Sequence, residues 1–112
     1  MKKMSDFDKE LVRTARDTCL ECDGVSSMAS TLTSMMNETL KKSLTGITAE
    51  ADGVQMDRDK SGLTFDLYLK VRYGEQIPVL AWNVQKSVTA ALKTMTDEKI
   101  KAVNIHIQGV TL

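Results

Sequence analysis

Leu63-Thr64-Phe65-Asp66-Leu67-Tyr68-Leu69-Lys70-Val71-Arg72-Tyr73 is the stretch from which the rest of the chain can be read. Leu63, Phe65, Leu67, Leu69, Val71 and Tyr73 fall on one side of an extended backbone, and Thr64, Asp66, Tyr68, Lys70 and Arg72 fall on the other. A period of two held this long predicts a strand with one buried face and one wet face. Burying its apolar side chains would contribute on the order of 10 kcal/mol before entropy, at about 1.5–3 kcal/mol per side chain.

Downstream, Gly74 breaks the strand and Pro78 suits the first turn of a helix, where its missing N–H is not needed. Ile77, Leu80, Ala81, Val84, Val88, Ala91, Leu92 and Met95 then recur at helical spacing, ending at Thr96-Asp97. Val103, Ile105, Ile107 and Gly109 alternate with Asn104, His106 and Gln108 as a final strand. Strand, helix, strand makes a βαβ-like unit and predicts parallel pairing.

Upstream, Asp57-Arg58-Asp59-Lys60-Ser61-Gly62 has the composition of a hairpin loop, preceded by a short strand over Val54-Gln55-Met56-Asp57. Thr48 to Asp52 reads as a loop. Met28, Leu32, Met35, Met36, Leu40 and Leu44 predict a helix that ends at Thr45-Gly46, and Val25 starts a short extended link before it. A first helix is expected over Asp6 to Cys22, capped by Ser5, with Phe7, Leu11, Ala15, Cys19 and Cys22 on its apolar stripe. Asp23-Gly24 stops it. The whole is an α+β fold: a small mixed sheet of about three strands, helices on one face, the polar face left open.

The chain has 112 residues, a length suited to one domain spanning 1–112. Its 15 basic and 15 acidic residues cancel, so no excess positive field draws it to nucleic acid or anionic lipid. The apolar runs are too short for a membrane span, and polar Ser5-Asp6 follows Met1-Lys2-Lys3 where a signal peptide would need an apolar core. A cytoplasmic location is therefore expected, with Cys19 and Cys22 as reduced thiols.

Several stretches fall in an order and spacing that resemble the alkaline shock protein family. They are Asp23-Gly24-Val25 with Met28-Ala29, Gly53-Val54-Gln55-Met56, the strand Leu63 to Val71, Tyr73-Gly74, Ile77-Pro78, Val84-Gln85, Val88, Met95-Thr96, Val103-Asn104-Ile105 and Gly109-Val110. The resemblance covers nearly the whole chain. It implies a non-enzymatic cytoplasmic domain in the envelope stress response of Gram-positive bacteria. It also implies self-association and attachment at the inner membrane through an anchored partner protein. Asp97 stands where glycine is common in that family, and Trp82 where a polar residue is expected.

Cys19-x-x-Cys22 is a redox or metal signature only at a helix start after a strand, or with a second ligand pair. On an apolar stripe near a helix end the two thiols are expected in the core, leaving no metal or other cofactor implied. His106 is placed on the polar sheet face, away from them, with no base-and-orienter arrangement for catalysis. Two surfaces remain as candidate interaction sites. One is the sheet face carrying Tyr68, Lys70, Arg72 and His106; the other is the helix side carrying Val79, Trp82 and Lys86. Trp82 either stands exposed there or tucks beneath the N-terminal helix. The alternative to a scaffold is a regulatory module that binds a cytoplasmic enzyme or a nucleic acid through the sheet face. Nucleic acid is the weaker partner class, because one tyrosine makes no stacking platform and Asp66 shares the face.

Overall fold

The computed structural model describes residues 6–29, 49–51 and 53–112. Its elements are α1 (Asp6–Glu21), β1 (Val25–Met28), β2 (Ala49–Ala51), β3 (Val54–Asp59), β4 (Gly62–Arg72), α2 (Ile77–Lys93) and β5 (Ile100–Thr111). The architecture is α+β, as the patterning implied. Alternation places β4 at the centre, where Leu63, Phe65, Leu67, Leu69 and Val71 are all fully buried.

β5 lies parallel to β4 along its whole length, from Leu63 opposite Ile100 to Arg72 opposite Thr111. The other edge of β4 is shared by two antiparallel neighbours. β3 pairs from Val54 opposite Leu67 to Asp59 opposite Gly62, and β1 takes over with Met28 opposite Leu69 and Val25 opposite Val71. The hand-over falls at Tyr68, whose N–H donates to the Gly53 carbonyl (2.7 Å) and whose carbonyl accepts the Ala29 N–H (2.8 Å). Gly53 has φ +77°, and a Cβ there would stand 2.8 Å from the Met28 Cβ and 2.9 Å from the Tyr68 carbonyl oxygen. Glycine alone fits such a junction.

β2 extends the sheet by pairing with β3, so there are five strands among the described residues, two more than the roughly three expected from sequence patterning. The additions are β1 and β2, only four and three residues long. β2 falls where a loop was expected over Thr48 to Asp52. Met28, read as the start of a helical stripe, closes β1; the remainder of that stripe lies outside the described residues, as does the Ser5 cap.

The turn between β3 and β4 is tighter than the six-residue loop expected from Asp57 to Gly62. β3 runs on to Asp59, and Asp59 Oδ1 accepts the N–H groups of Ser61 (2.7 Å) and Gly62 (3.2 Å). Its carboxyl is held below the usual range by the Lys101 ammonium at 2.9 Å, then by the Ser61 N–H.

The two helices among the described residues cover one face of the sheet. α1 packs over β1, β2 and β3, α2 over β5, and the helices pack on each other. Leu11, Val12, Ala15 and Cys19 of α1 meet Leu80, Val84, Val88 and Leu92 of α2 above Met56, Phe65 and Val103. Two expected core residues are outside it. Phe7, in the first turn of α1, is exposed, and Tyr73, one residue past the end of β4, is 74% exposed. α2 ends at Lys93, with Thr94 in right-handed conformation (φ −76°, ψ −17°), so no left-handed cap is used where Asp97 replaces the common glycine.

Asp8, 5% exposed, is paired with a cation. Arg58 Nη2 stands 2.8 Å from Asp8 Oδ1, and Arg58 Nε 2.8 Å from Glu98 Oε2. These hydrogen bonds hold the guanidinium firmly charged and stitch α1 to β3 and to the chain entering β5.

Candidate functional site

The wet face of the sheet carries a connected polar group. The Tyr68 and His106 rings stack at 4.5 Å between centroids, tilted by 13°. Their positions follow from register, since β4 and β5 place Tyr68 opposite His106 and Asp66 opposite Asn104. Asp66 Oδ1 lies 2.9 Å from His106 Nε2 and accepts the Asn104 Nδ2 amide at 3.1 Å. The Tyr68 hydroxyl donates to Gln55 Oε1 at 3.3 Å, and burial, then the Asp66 charge, push its ionisation up.

Of the two cations expected there, Lys70 is exposed, its stem lying over Gly109. Arg72 is committed to Asp23 at 2.6 Å, with Glu75 at 3.6 Å. The face is thus a neutral, internally bonded surface rather than a basic one.

On α2, Trp82 and Val79 are more than half exposed, which decides between the two placements of Trp82. α1 packs toward β1 to β3 and leaves this side of α2 uncovered. Lys86 Nζ stands 4.9 Å from the centre of the Trp82 ring, a cation–π contact.

The two surfaces meet in an open groove of about 530 Å³ where α2 overhangs β5, walled by Pro78, Ala81, Trp82 and Gln85 on the helix and by Asn104, Ile105 and His106 on the strand. Gln85 Nε2 reaches across to the Val103 carbonyl at 2.7 Å. Trp82 and His106 are therefore two walls of one site. Sequence reasoning missed Gln85, Ala81 and Ile105; only the edge position of β5 gives them this role.

Cys19 is fully buried, as its place on the α1 stripe implied, while Cys22 is half-buried and donates to the Thr18 carbonyl at 3.3 Å. Burial, then the neighbouring Cys22, push the Cys19 thiol from its ordinary value of 9.0 up to about 12. Burial also raises Cys22, against a hydrogen bond from Ser87. Native protein should alkylate slowly at Cys19 and faster at Cys22, read by mass spectrometry, with both labelling at once in denaturant; rapid labelling of Cys19 in the folded state would contradict its burial. Because the folded thiol resists ionisation, stability should be full below the unfolded value and fall as pH rises through it toward about 12. Among the described residues no group of three or more His, Cys, Asp or Glu could hold a metal ion, and no helix is long and apolar enough to cross a membrane.

A family model described as "Asp23 family, cell envelope-related function" matches residues 4–112. The chain belongs to the Asp23 family. The resemblance to alkaline shock proteins, carried by the ordered motifs, is thereby borne out. Asp23-family relatives include YqhY of Bacillus subtilis, 34% identical over 90 residues, which cover 80% of this chain and 63% of that protein. YloU of the same organism is 29% identical over 109 residues, covering 94% of this chain and 86% of YloU. Spy1535 of Streptococcus pyogenes is 37% identical over 59 residues, covering 52% of this chain but 46% of that protein. The Asp23-family chain thus spans less than two thirds of the length of Spy1535 and of YqhY.

Among solved structures the copper form of MamM CTD superposes with a TM-score of 0.54 at 8% identity, covering 96% of this chain and 91% of that one. A second MamM CTD structure gives 0.53 at 8% identity, covering 94% and 98%. At that identity the likeness is one of fold.

Proposed function

We propose that this Asp23-family domain is a non-enzymatic scaffold in cell-envelope homeostasis, working on the cytoplasmic side through self-association or by binding a membrane-anchored protein. The observation that carries this reading is Trp82, 58% exposed beside Val79 at the mouth of the groove. An exposed tryptophan flanked by an apolar neighbour and a groove is the arrangement from which interface hot spots are built. Lys86 stands over Trp82 and His106 lines the groove, while Tyr68, stacked on His106, and Lys70 and Arg72 of the same strand face complete the proposed surface. A nucleic-acid role is disfavoured because Asp66 sits at the centre of the sheet face and Arg72 is neutralised by Asp23.

The test is co-purification from native membranes. The wild-type domain should be recovered with a membrane-anchored protein or with further copies of itself. Trp82→Ala should weaken that association by about 2 kcal/mol or more, roughly 30-fold, without loss of fold. Recovery of the wild type solely as a monomer in soluble extract would sink the reading.

A further inference from the structure

β5 is a twelve-residue strand with a neighbour on one side only among the described residues. The direction of its free hydrogen-bonding groups follows from β4. Tyr68 and Arg72 point their N–H groups toward the β3 and β1 edge, at Gly53 and Gly24, while Leu63 and Tyr73 point theirs toward β5, at Lys99 and Thr111. Odd residues of β4 therefore face β5. In a parallel ladder such a residue bonds to the two residues flanking its partner. Leu67, opposite Ile105, thus engages Asn104 and His106, and the N–H and C=O groups of Val103, Ile105 and Ile107 face outward. The Gln85 bond to the Val103 carbonyl is independent support, because that carbonyl must point away from β4 to be reached.

Natural sheets guard a long exposed edge with charge, proline or brevity. From Ala102 to Thr111 this edge has no lysine, arginine, aspartate, glutamate or proline. Register shifts fall at Lys101 and Gln108, leaving Ala102 to Ile107 as a regular segment between them. Gln85 covers the Val103 carbonyl, so the open groups of that segment belong chiefly to Ile105 and Ile107.

We propose that the outer edge of β5 pairs antiparallel with β5 of a second copy of this chain, about a twofold axis at His106. This deepens the self-association reading above and rests on it. With the axis there, Ile105 lies opposite Ile107 of the second copy and Ile107 opposite its Ile105. Each is a hydrogen-bonded pair exchanging two bonds, and Gln85 keeps Val103. The register places Lys101 opposite Thr111 and Asn104 opposite Gln108, so no lysine meets a lysine. His106 meets His106, each already paired with its own Asp66. Twofold symmetry puts both α2 helices on the same face of one continuous sheet, which closes the two grooves against each other and turns Val79 and Trp82 toward the joint. The occupant is a second copy because the edge is uncharged and regular over six residues, and this register matches the open donors and acceptors of Ile105 and Ile107 with each other under the axis.

The test is sedimentation equilibrium of the full 112-residue chain with far-UV circular dichroism, together with amide exchange at Ile105 and Ile107. Ile105→Pro removes an outward N–H without touching the β4 ladder, a position where edge strands accept proline. It should weaken the dimer about 10- to 100-fold with the fold retained, from the loss of two bonds per dimer. In the wild type, exchange at Ile105 and Ile107 should slow as protein concentration rises, and that measurement decides the matter if Ile105→Pro fails to fold. A folded Ile105→Pro that dimerises as the wild type does would overturn the β5 edge while leaving self-association standing. A wild type that stays monomeric at high concentration would overturn both. Protection of these amides in the monomer would mean that a segment of the same chain covers the edge, and would also overturn the proposal.

Discussion

Phe65→Ala should destabilise the domain by about 3–5 kcal/mol, seen as a lower urea midpoint at unchanged slope. Phe65 is fully buried at the centre of β4, in a row across the sheet with Met56 of β3 on one side and Val103 of β5 on the other. Both flanking residues are buried too, and both are held by backbone pairing, so neither can move in to fill the space a benzyl group leaves. The cost therefore combines the lost transfer energy with a cavity that does not collapse. In a domain whose whole stability is about 5–15 kcal/mol, one such change approaches unfolding. Phe65→Leu keeps most of the volume and should cost far less. A loss below about 1 kcal/mol for the alanine variant would mean that β4 is not the centre of the core.

Gly62→Ala should be the most damaging glycine substitution, at about 2–3 kcal/mol by the same measurement. Gly62 has φ +136°, a region closed to other residues, and a Cβ there would stand 2.4 Å from the Lys99 carbonyl oxygen. That oxygen accepts the Leu63 N–H at 2.8 Å, the bond with which β4 and β5 begin to pair. An alanine must therefore either adopt a strained backbone or push β4 and β5 apart where they meet. Gly109 is the control: a Cβ there would meet nothing nearer than the flexible Lys70 stem at 3.6 Å. Gly109→Ala should stay within about 0.5 kcal/mol of the wild type, and equal losses at both positions would remove steric crowding as the explanation.

What could be read directly from the residues was what hydrophobic burial enforces locally. β4 declares itself because one face must be buried over five consecutive apolar positions, and α2 because Leu80, Val84, Val88 and Leu92 line one side of a helix. β1 and β2 carried no such signal. Val25-Ser26-Ser27-Met28 contains a register irregularity, and Ala49-Glu50-Ala51 is too short to alternate; both take their form from the strand beside them. The limits of burial were equally hidden. Tyr73 keeps the alternation of β4 but lies past its end, and Phe7 keeps the period of α1 but lies in its first turn; both are exposed.

The candidate site followed the same division. Alternation alone placed Tyr68 and His106 on one face, and their stacking required only that β4 and β5 pair in parallel. The exposure of Trp82 was different, since a helical wheel gives an angle but not the whereabouts of a neighbouring helix. The groove joining Trp82 to His106 needed one further fact, that β5 is the last strand on its side among the described residues, which is a property of strand order and not of any residue.

The hand-over at Tyr68 bears on how this domain tolerates changes in length. Ala29 and Gly53 bind the backbone of the same residue, and a Cβ on Gly53 would lie 3.0 Å from the Ala29 carbonyl oxygen. The chain leaves the edge of β4 at one point and rejoins it at the same point. Ala29 and Gly53 are thus held beside each other, and a longer connection between two such points costs only about 0.6 kcal/mol more closure entropy per doubling of its length. A change in chain length between Ala29 and β2 should therefore leave the two backbone bonds at Tyr68 in place.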